Sequence, residues 1–232
     1  MRLIKCEQGT PEWLAARIAR PTGSMFGVAR KRLKTGPRKG DFATDTRQYA
    51  FRLACERISG VALDEDGFEN YAMRRGHELE PEARLLHEEA KGVLVQQVGF
   101  ITDDDGLFGV SVDGLIGNDG ISEYKCFIAP AKLMPILIDG DLSDVMDQIQ
   151  GGLWITGRQW AHFVLYCPAL EPIGKHLTII EVQRDEEYIT GLEADMWKFK
   201  GLVDHYVEVL TDQPEAPEET PEPAEEQTAF SF

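Results

Sequence analysis

Between Asp185 and Leu210, apolar residues recur every three or four positions: Ile189, Leu192, Met196, Phe199, Val203, Tyr206 and Leu210. That spacing predicts one long helix with a single core-facing stripe. Val145–Thr156 has a similar helical pattern, despite Gly151 and Gly152 in its middle. Two further helices are predicted, over Thr44–Ser59 with Gly60 as its stop and over Gly76–Ala90 with Gly92 behind it. In the second, Glu80, Ala83 and His87 share a face. Near the start, Thr10 followed by Pro11 and Glu12 marks a helix N-terminus, with the helix continuing through Trp13–Arg20.

Elsewhere the pattern shortens to strands. VLVQQVGF (93–100), LFGVSVDGLIG (107–117), GISEYKCF (120–127), AHFVLYC (161–167) and HLTIIEV (176–182) are β-rich runs between turn residues. The Asp119–Gly120 dipeptide predicts a hairpin turn. Helices, three strands, helix, two strands, helix is an α/β (α+β) order, with a central mixed sheet flanked by helices. Residues 1–210 read as one domain. Residues 211–232 hold four prolines and seven acids, a composition that predicts a disordered acidic tail. Its Phe-ended tip is read either as solubilising or as partner-docking.

The chain is 43% hydrophobic and 28% charged, as a soluble globular protein is. Its net charge of −16 argues against nucleic acid when taken whole. The distribution changes that picture. Residues 1–60 hold 13 Lys/Arg against 5 Asp/Glu, whereas residues 61–210 hold 11 against 28. The run RKRLKTGPRK (30–39) has six cations and no acid, a candidate DNA-backbone contact through Arg30, Lys31, Arg32, Lys34, Arg38 and Lys39. Phe26 and Phe42 beside it are read as packing residues or, less favoured, as base-stacking wedges. Cys6, Cys55, Cys126 and Cys167 are scattered, with no zinc spacing, and suit a reducing cytoplasm. No apolar run approaches membrane-span length. His77, His87, His162, His176 and His205 form no HxxxH pair, and GxxxxGK[ST] is absent, so neither zinc nor ATP chemistry is indicated.

Candidate chemistry gathers in GVSVDGLIGNDGISEYKC (109–126). Glu123 and Lys125 stand two apart on a strand and share a face, and a hairpin sets Asp113 beside them. Two carboxylates and an ammonium at one end of a sheet suit a hard divalent ion such as Mg²⁺. A lysine there can hold a water or help to deprotonate it. By itself the pattern fits a surface ion-pair cluster equally well.

Four blocks in order, EQGTPEWLAARIARPTGS (7–24), RRGHELEPEAR (74–84), SVDG…SEYKC and DQIQGGLWITG (147–157), resemble the lambda exonuclease/YqaJ-type viral recombinase family of the PD-(D/E)xK nuclease superfamily. The resemblance covers roughly residues 7–210. It implies metal-binding carboxylates at Asp113, Glu123 and Glu80, with the backbone carbonyl of Tyr124 as a further ligand. Lys125 matches the catalytic lysine and Gln148 the glutamine that positions the attacking water. Arg17, Ser24 and Ser111 match the site for the DNA 5′-phosphate. Val112 stands where the family core has proline.

The resemblance further implies an Mg²⁺-dependent, ATP-independent 5′→3′ exonuclease, with Mn²⁺ as a substitute ion. It would degrade one strand of linear double-stranded DNA to mononucleotides and leave a 3′ single strand for a single-strand annealing protein. A homotrimeric ring, cytoplasmic in a bacterial host and encoded by phage or prophage, is also implied. The alternatives are a PD-(D/E)xK endonuclease, restriction-like or flap-cutting, and a non-catalytic recombination scaffold.

Overall fold

The computed structural model describes residues 1–63 and 71–212, omitting the side chains of residues 71–73. The tail expectation therefore lies outside the described residues from position 213 onward.

A five-stranded mixed sheet carries the molecule. It comprises β2 (Val95–Gln96), β5 (Gly114–Ile116), β6 (Gly120–Lys125), β7 (Trp160–Tyr166) and β8 (Leu177–Gln183), in that spatial order. Only β6 and β7 run parallel, with Glu123 opposite Phe163 and Ser122 opposite His162. A second, antiparallel sheet orders β1 (Arg2–Ile4), β3 (Phe100–Thr102) and β4 (Gly109–Val110).

The strand expectations are corrected at two places. The 107–117 run breaks around Val112–Asp113 into β4 and β5, which join different sheets, so Asp113 leads into β5 instead of ending a strand. The 93–100 run likewise divides between β2 and β3. The hairpin loop is residues 117–119: Gly117 takes the left-handed conformation (φ 51°), and Gly120 already pairs with Ile116. A Cβ at Gly120 would stand 2.4 Å from the Trp160 ring, so its role is close packing.

Pleating divides the central sheet by residue parity. Ile121, Ala161, Phe163 and Leu165 face the main core, built with α2 (Phe26–Ala29), α3 (Thr44–Ser59), α6 (Ser143–Thr156) and α7 (Glu186–Thr211). Tyr124, Val164 and Tyr166 face α4 (Tyr71–Lys91), against Ala83. Phe26 is fully buried and belongs to this core, which rules it out as a wedge. A Cβ on Gly151 would lie 2.4 Å from Phe26 Cδ2, and one on Gly152 would lie 2.8 Å from Ile121 Cδ1. The two glycines thus let α6 sit directly on its neighbours, which outweighs their poor helix propensity.

α1 (Pro11–Arg17) stops three residues earlier than predicted. Ala19 adopts φ 58°, and its N–H is held by the buried Glu56 carboxylate at 2.8 Å. Pro21 behind it also opposes a helical Arg20. The α7 stripe is buried from Ile189 to Val203 but emerges by Leu210, which is 45% exposed. α7 continues through Thr211, one residue past the expected domain boundary. A short α5 (Pro130–Met134) follows β6. Among the described residues, no helix is long and apolar enough to cross a membrane.

Candidate active site

Four structural units deliver the site. β6 supplies Glu123 and Lys125, the turn into β5 supplies Asp113, and α4 and α6 bring Glu80 and Gln148 from the two sides. All five line one cleft of about 490 Å³, together with Arg75, His77 and Lys132. Lys125 Nζ donates to Glu123 Oε1 at 2.6 Å and to Gln148 Oε1 at 3.2 Å. Gln148 Nε2 donates to the same Glu123 oxygen at 2.6 Å. Asp113 Oδ2 accepts the backbone N–H of Tyr124 at 2.6 Å.

The electrostatics are those of crowded acids. Burial, then Glu123 and Glu80, pushes the Asp113 carboxyl well above its ordinary range. Burial also raises Glu80, against the opposing pull of His77 and Arg84. At Lys125, burial favours the neutral amine, but Glu123 and Asp113 outweigh it and hold the ammonium above its usual value. Lys125 therefore acts as a cationic donor near neutral pH. Cys126, on the same cleft, is pushed up to about 11 by burial and by Glu80, so it stays a thiol and not a nucleophile. Among the described residues, no three His, Cys, Asp or Glu side chains converge at the spacing of a preformed metal site.

Arg17 and Ser111 come together, with an Arg17 Nη1 to Ser111 Oγ distance of 3.5 Å. Trp13, which sequence reasoning passed over, joins them. Its indole Nε1 donates to Ser111 Oγ at 2.8 Å, and the Arg17 guanidinium lies 4.0 Å from the centre of its ring. Its position four residues before Arg17 on a helix was the available signal. Ser24 is exposed and lines a different cleft of about 420 Å³, with Lys31, Lys132 and Gln148. A parallel bridge between Thr22 and Gly109 lays the Ser24 and Ser111 segments side by side. A third cleft, of about 700 Å³, lies beyond Glu80 and Asp113 and is lined by Lys5, Gln8, Gln96 and Gln97.

The basic run is not uniform. Arg30 departs from the expected DNA-facing role, because its guanidinium binds Asp147 at 2.7 Å and Asp195 at 3.0 Å. Arg32 stacks 3.5 Å from the centre of the half-buried Phe42 ring. Lys31 and Arg38 make exposed ion pairs with Asp45 and Asp41, worth little in water. Lys34 and Lys39 are exposed. On the α4 side of the sheet, His87 and His162 are buried and bonded to each other. Burial, then His162, pulls His87 down to about 4, so it is neutral near pH 7.

Three comparisons give this geometry its kin. A crystal structure of LHK-Exo in complex with dAMP is 30% identical, covering 87% of this chain and 96% of its own, with a TM-score of 0.76. A structure of LHK-Exo, an alkaline exonuclease from Laribacter hongkongensis, aligns over the same shares at 30% identity and a TM-score of 0.73. A phage-related exonuclease from Haemophilus somnus 129PT shares the fold at 18% identity and a TM-score of 0.62, covering 82% of this chain and 94% of its own. No curated protein matches. The model of the YqaJ-like viral recombinase domain matches residues 12–159. With more than half its length matched and a 30% identical relative spanning most of the fold, the chain belongs to the YqaJ-like viral recombinase domain family.

Proposed function

We propose that this chain is a metal-dependent, ATP-independent 5′→3′ exonuclease acting on linear double-stranded DNA that carries a 5′-phosphate. The observation that carries the reading is the meeting of Lys125 and Gln148 on one oxygen of Glu123, in the cleft that also holds Asp113 and Glu80. The dAMP complex and the alkaline exonuclease among its relatives support it.

The donor set fits a hard divalent ion by its chemistry. Asp113, Glu80, Glu123 and the Tyr124 carbonyl are all oxygen donors, and Asp113 is raised by burial and then by the charges of Glu123 and Glu80, a repulsion that a divalent cation would offset. When bound, Mg²⁺, or Mn²⁺ in its place, supplies charge neutralisation and polarises the phosphoryl oxygen. The protein's own groups do the rest. Gln148 and the Lys125 ammonium orient a water against the scissile phosphate, and the ammonium stabilises the charge that gathers there. The water oxygen bonds to phosphorus as the P–O3′ bond breaks; one water proton passes to solvent, and the departing O3′ takes a proton from solvent to become a hydroxyl. A 5′-mononucleotide leaves, and the shortened strand keeps a new 5′-phosphate for the next round.

Arg17 and Ser111, with Ser24 beside them, hold that terminal phosphate dianion. Its capture sets which bond reaches the carboxylates. In this reading the enzyme works as a homotrimeric ring in the bacterial cytoplasm. The 3′ strand it leaves feeds a single-strand annealing protein during phage recombination.

The test incubates linear duplexes with a 5′-phosphate, linear duplexes with a 5′-hydroxyl, and closed circles, each with Mg²⁺. Mononucleotides should appear from the phosphorylated linear DNA first. Cutting of the closed circle, with no bias towards phosphorylated ends, would mean an endonuclease. Asp113→Ala, Glu123→Ala and Lys125→Ala should each abolish digestion in a folded protein.

A further inference from the structure

Tyr124 lies between Glu123 and Lys125, yet its side chain points to the opposite face of the sheet, towards α4. Its hydroxyl is 2.8 Å from His87 Nδ1, and His87 Nε2 is 2.8 Å from His162 Nδ1. His162 Nε2 stands 3.6 Å from Glu181 Oε2 on β8. His87 is 0% and His162 4% exposed. A neutral imidazole has one donor and one acceptor, so His87 bonds Tyr124 with one ring nitrogen and His162 with the other, the tautomer setting which atom donates in each. Glu181 stands at the outer end of the row.

Three buried polar side chains gain little stability over apolar residues of the same shape. What they add is direction and fixed distance. The elements they join are those of the site. His87 is seven residues beyond Glu80, two turns along the same face of α4. Between them the fully buried Ala83 packs in one cluster with Tyr124. The same Tyr124 donates its backbone N–H to Asp113. One residue thus reaches Asp113 with its main chain and α4 with its side chain.

We propose that Tyr124 and His87 are positioning residues, whose hydrogen bond, braced by His162, sets the helix bearing Glu80 against the strand bearing Glu123 and Lys125. The proposal rests on the nuclease reading only in taking these acids to act together.

The test uses Tyr124→Phe, which removes one hydroxyl, and His87→Gln, which keeps a donor and an acceptor. Three readouts are taken on the full chain: melting temperature without metal, the Mg²⁺ concentration giving half of the Mg²⁺-induced rise in melting temperature, and kcat and KM on 5′-phosphorylated linear duplex. For Tyr124→Phe, kcat should fall about tenfold with KM nearly unchanged, as expected for sub-ångström misplacement. The Mg²⁺ requirement should rise several-fold, and His87→Gln should lie between this variant and wild type. Wild-type kcat and Mg²⁺ requirement in Tyr124→Phe would overturn the proposal, as would a lowered melting temperature with both values unmoved. If the wild-type protein digests no DNA, the nuclease reading fails, and the Mg²⁺-induced melting shift still decides whether the pair positions the acids.

Discussion

Arg30 is bound to Asp147 at 2.7 Å, so a residue from the basic run is tied to the helix turn that presents Gln148. Tyr188 donates its hydroxyl to the same Asp147 oxygen, and Asp195 takes the other side of the guanidinium. Arg30→Met should destabilise the protein by roughly 1–3 kcal/mol, because it strips the guanidinium from two partly buried acids and leaves Asp147 with only the Tyr188 hydroxyl and Asp195 with only Lys198. It should leave the salt dependence of DNA binding unchanged. Lys34→Ala or Lys39→Ala should instead lower the slope of log affinity against log salt by about one each. Urea melts and salt titrations measure both; a slope change in Arg30→Met would return that residue to the DNA surface.

Asp113 makes stability depend on pH. Its folded pKa is raised, so between the ordinary carboxylate value and that higher value the native state holds a proton the unfolded chain has lost. Stability therefore falls as pH rises through that window, and the deficit persists above it. Without metal, Asp113→Asn should melt higher than wild type at pH 8. It should lose the Mg²⁺-induced rise in melting temperature and all digestion. A variant that melts lower at pH 8 than at pH 4 to the same degree as wild type would show that another group carries the effect.

Trp13 should matter to end recognition. Trp13→Phe keeps a ring beneath Arg17 but loses the donor to Ser111, a bond worth about 1 kcal/mol, or roughly fivefold in preference for phosphorylated ends. Arg17→Ala removes a charge-assisted contact and should reduce that preference roughly ten- to a hundredfold. Digestion rates on 5′-phosphate and 5′-hydroxyl ends check this. Equal slowing on both ends by Arg17→Ala would remove it from the phosphate site.

The helix glycines differ in kind. Gly151→Ala drives a methyl into the Phe26 ring, which should cost about 1–3 kcal/mol and shift Gln148 one turn away. Gly201 on α7 faces open space, so Gly201→Ala should gain about 0.5–1 kcal/mol of helix propensity. Thermal melts of the two variants should move in opposite directions.

Removing residues 213–232 should leave digestion largely intact. Cutting two residues earlier would strip the end of α7, where the Asp212 N–H caps the Glu208 carbonyl. A dead 213–232 truncation would assign the tail a catalytic or structural part.

The amino-acid sequence by itself determined the elements whose cause is local. α3, α6, α7 and the strand bearing Glu123 and Lys125 follow from periodicity, caps and stop glycines within a few residues of one another. The same local logic put Glu80 and His87 on one face of α4. What tertiary structure alone decided depends on partners far along the chain. β3 pairs with β1 about a hundred residues away, which divides what reads as one strand run into pieces of two sheets. Arg30 meets Asp147 and Asp195 across 117 and 165 positions, and a cation engaged that way cannot be told by pattern from one facing solvent. Trp13 and Ser111 meet across 98 positions. A short polar motif names its donors, but only the packing of distant segments fixes which donors share a cleft and which are already paired, because hydrogen bonds and ion pairs depend on distance in space and not on order in the chain.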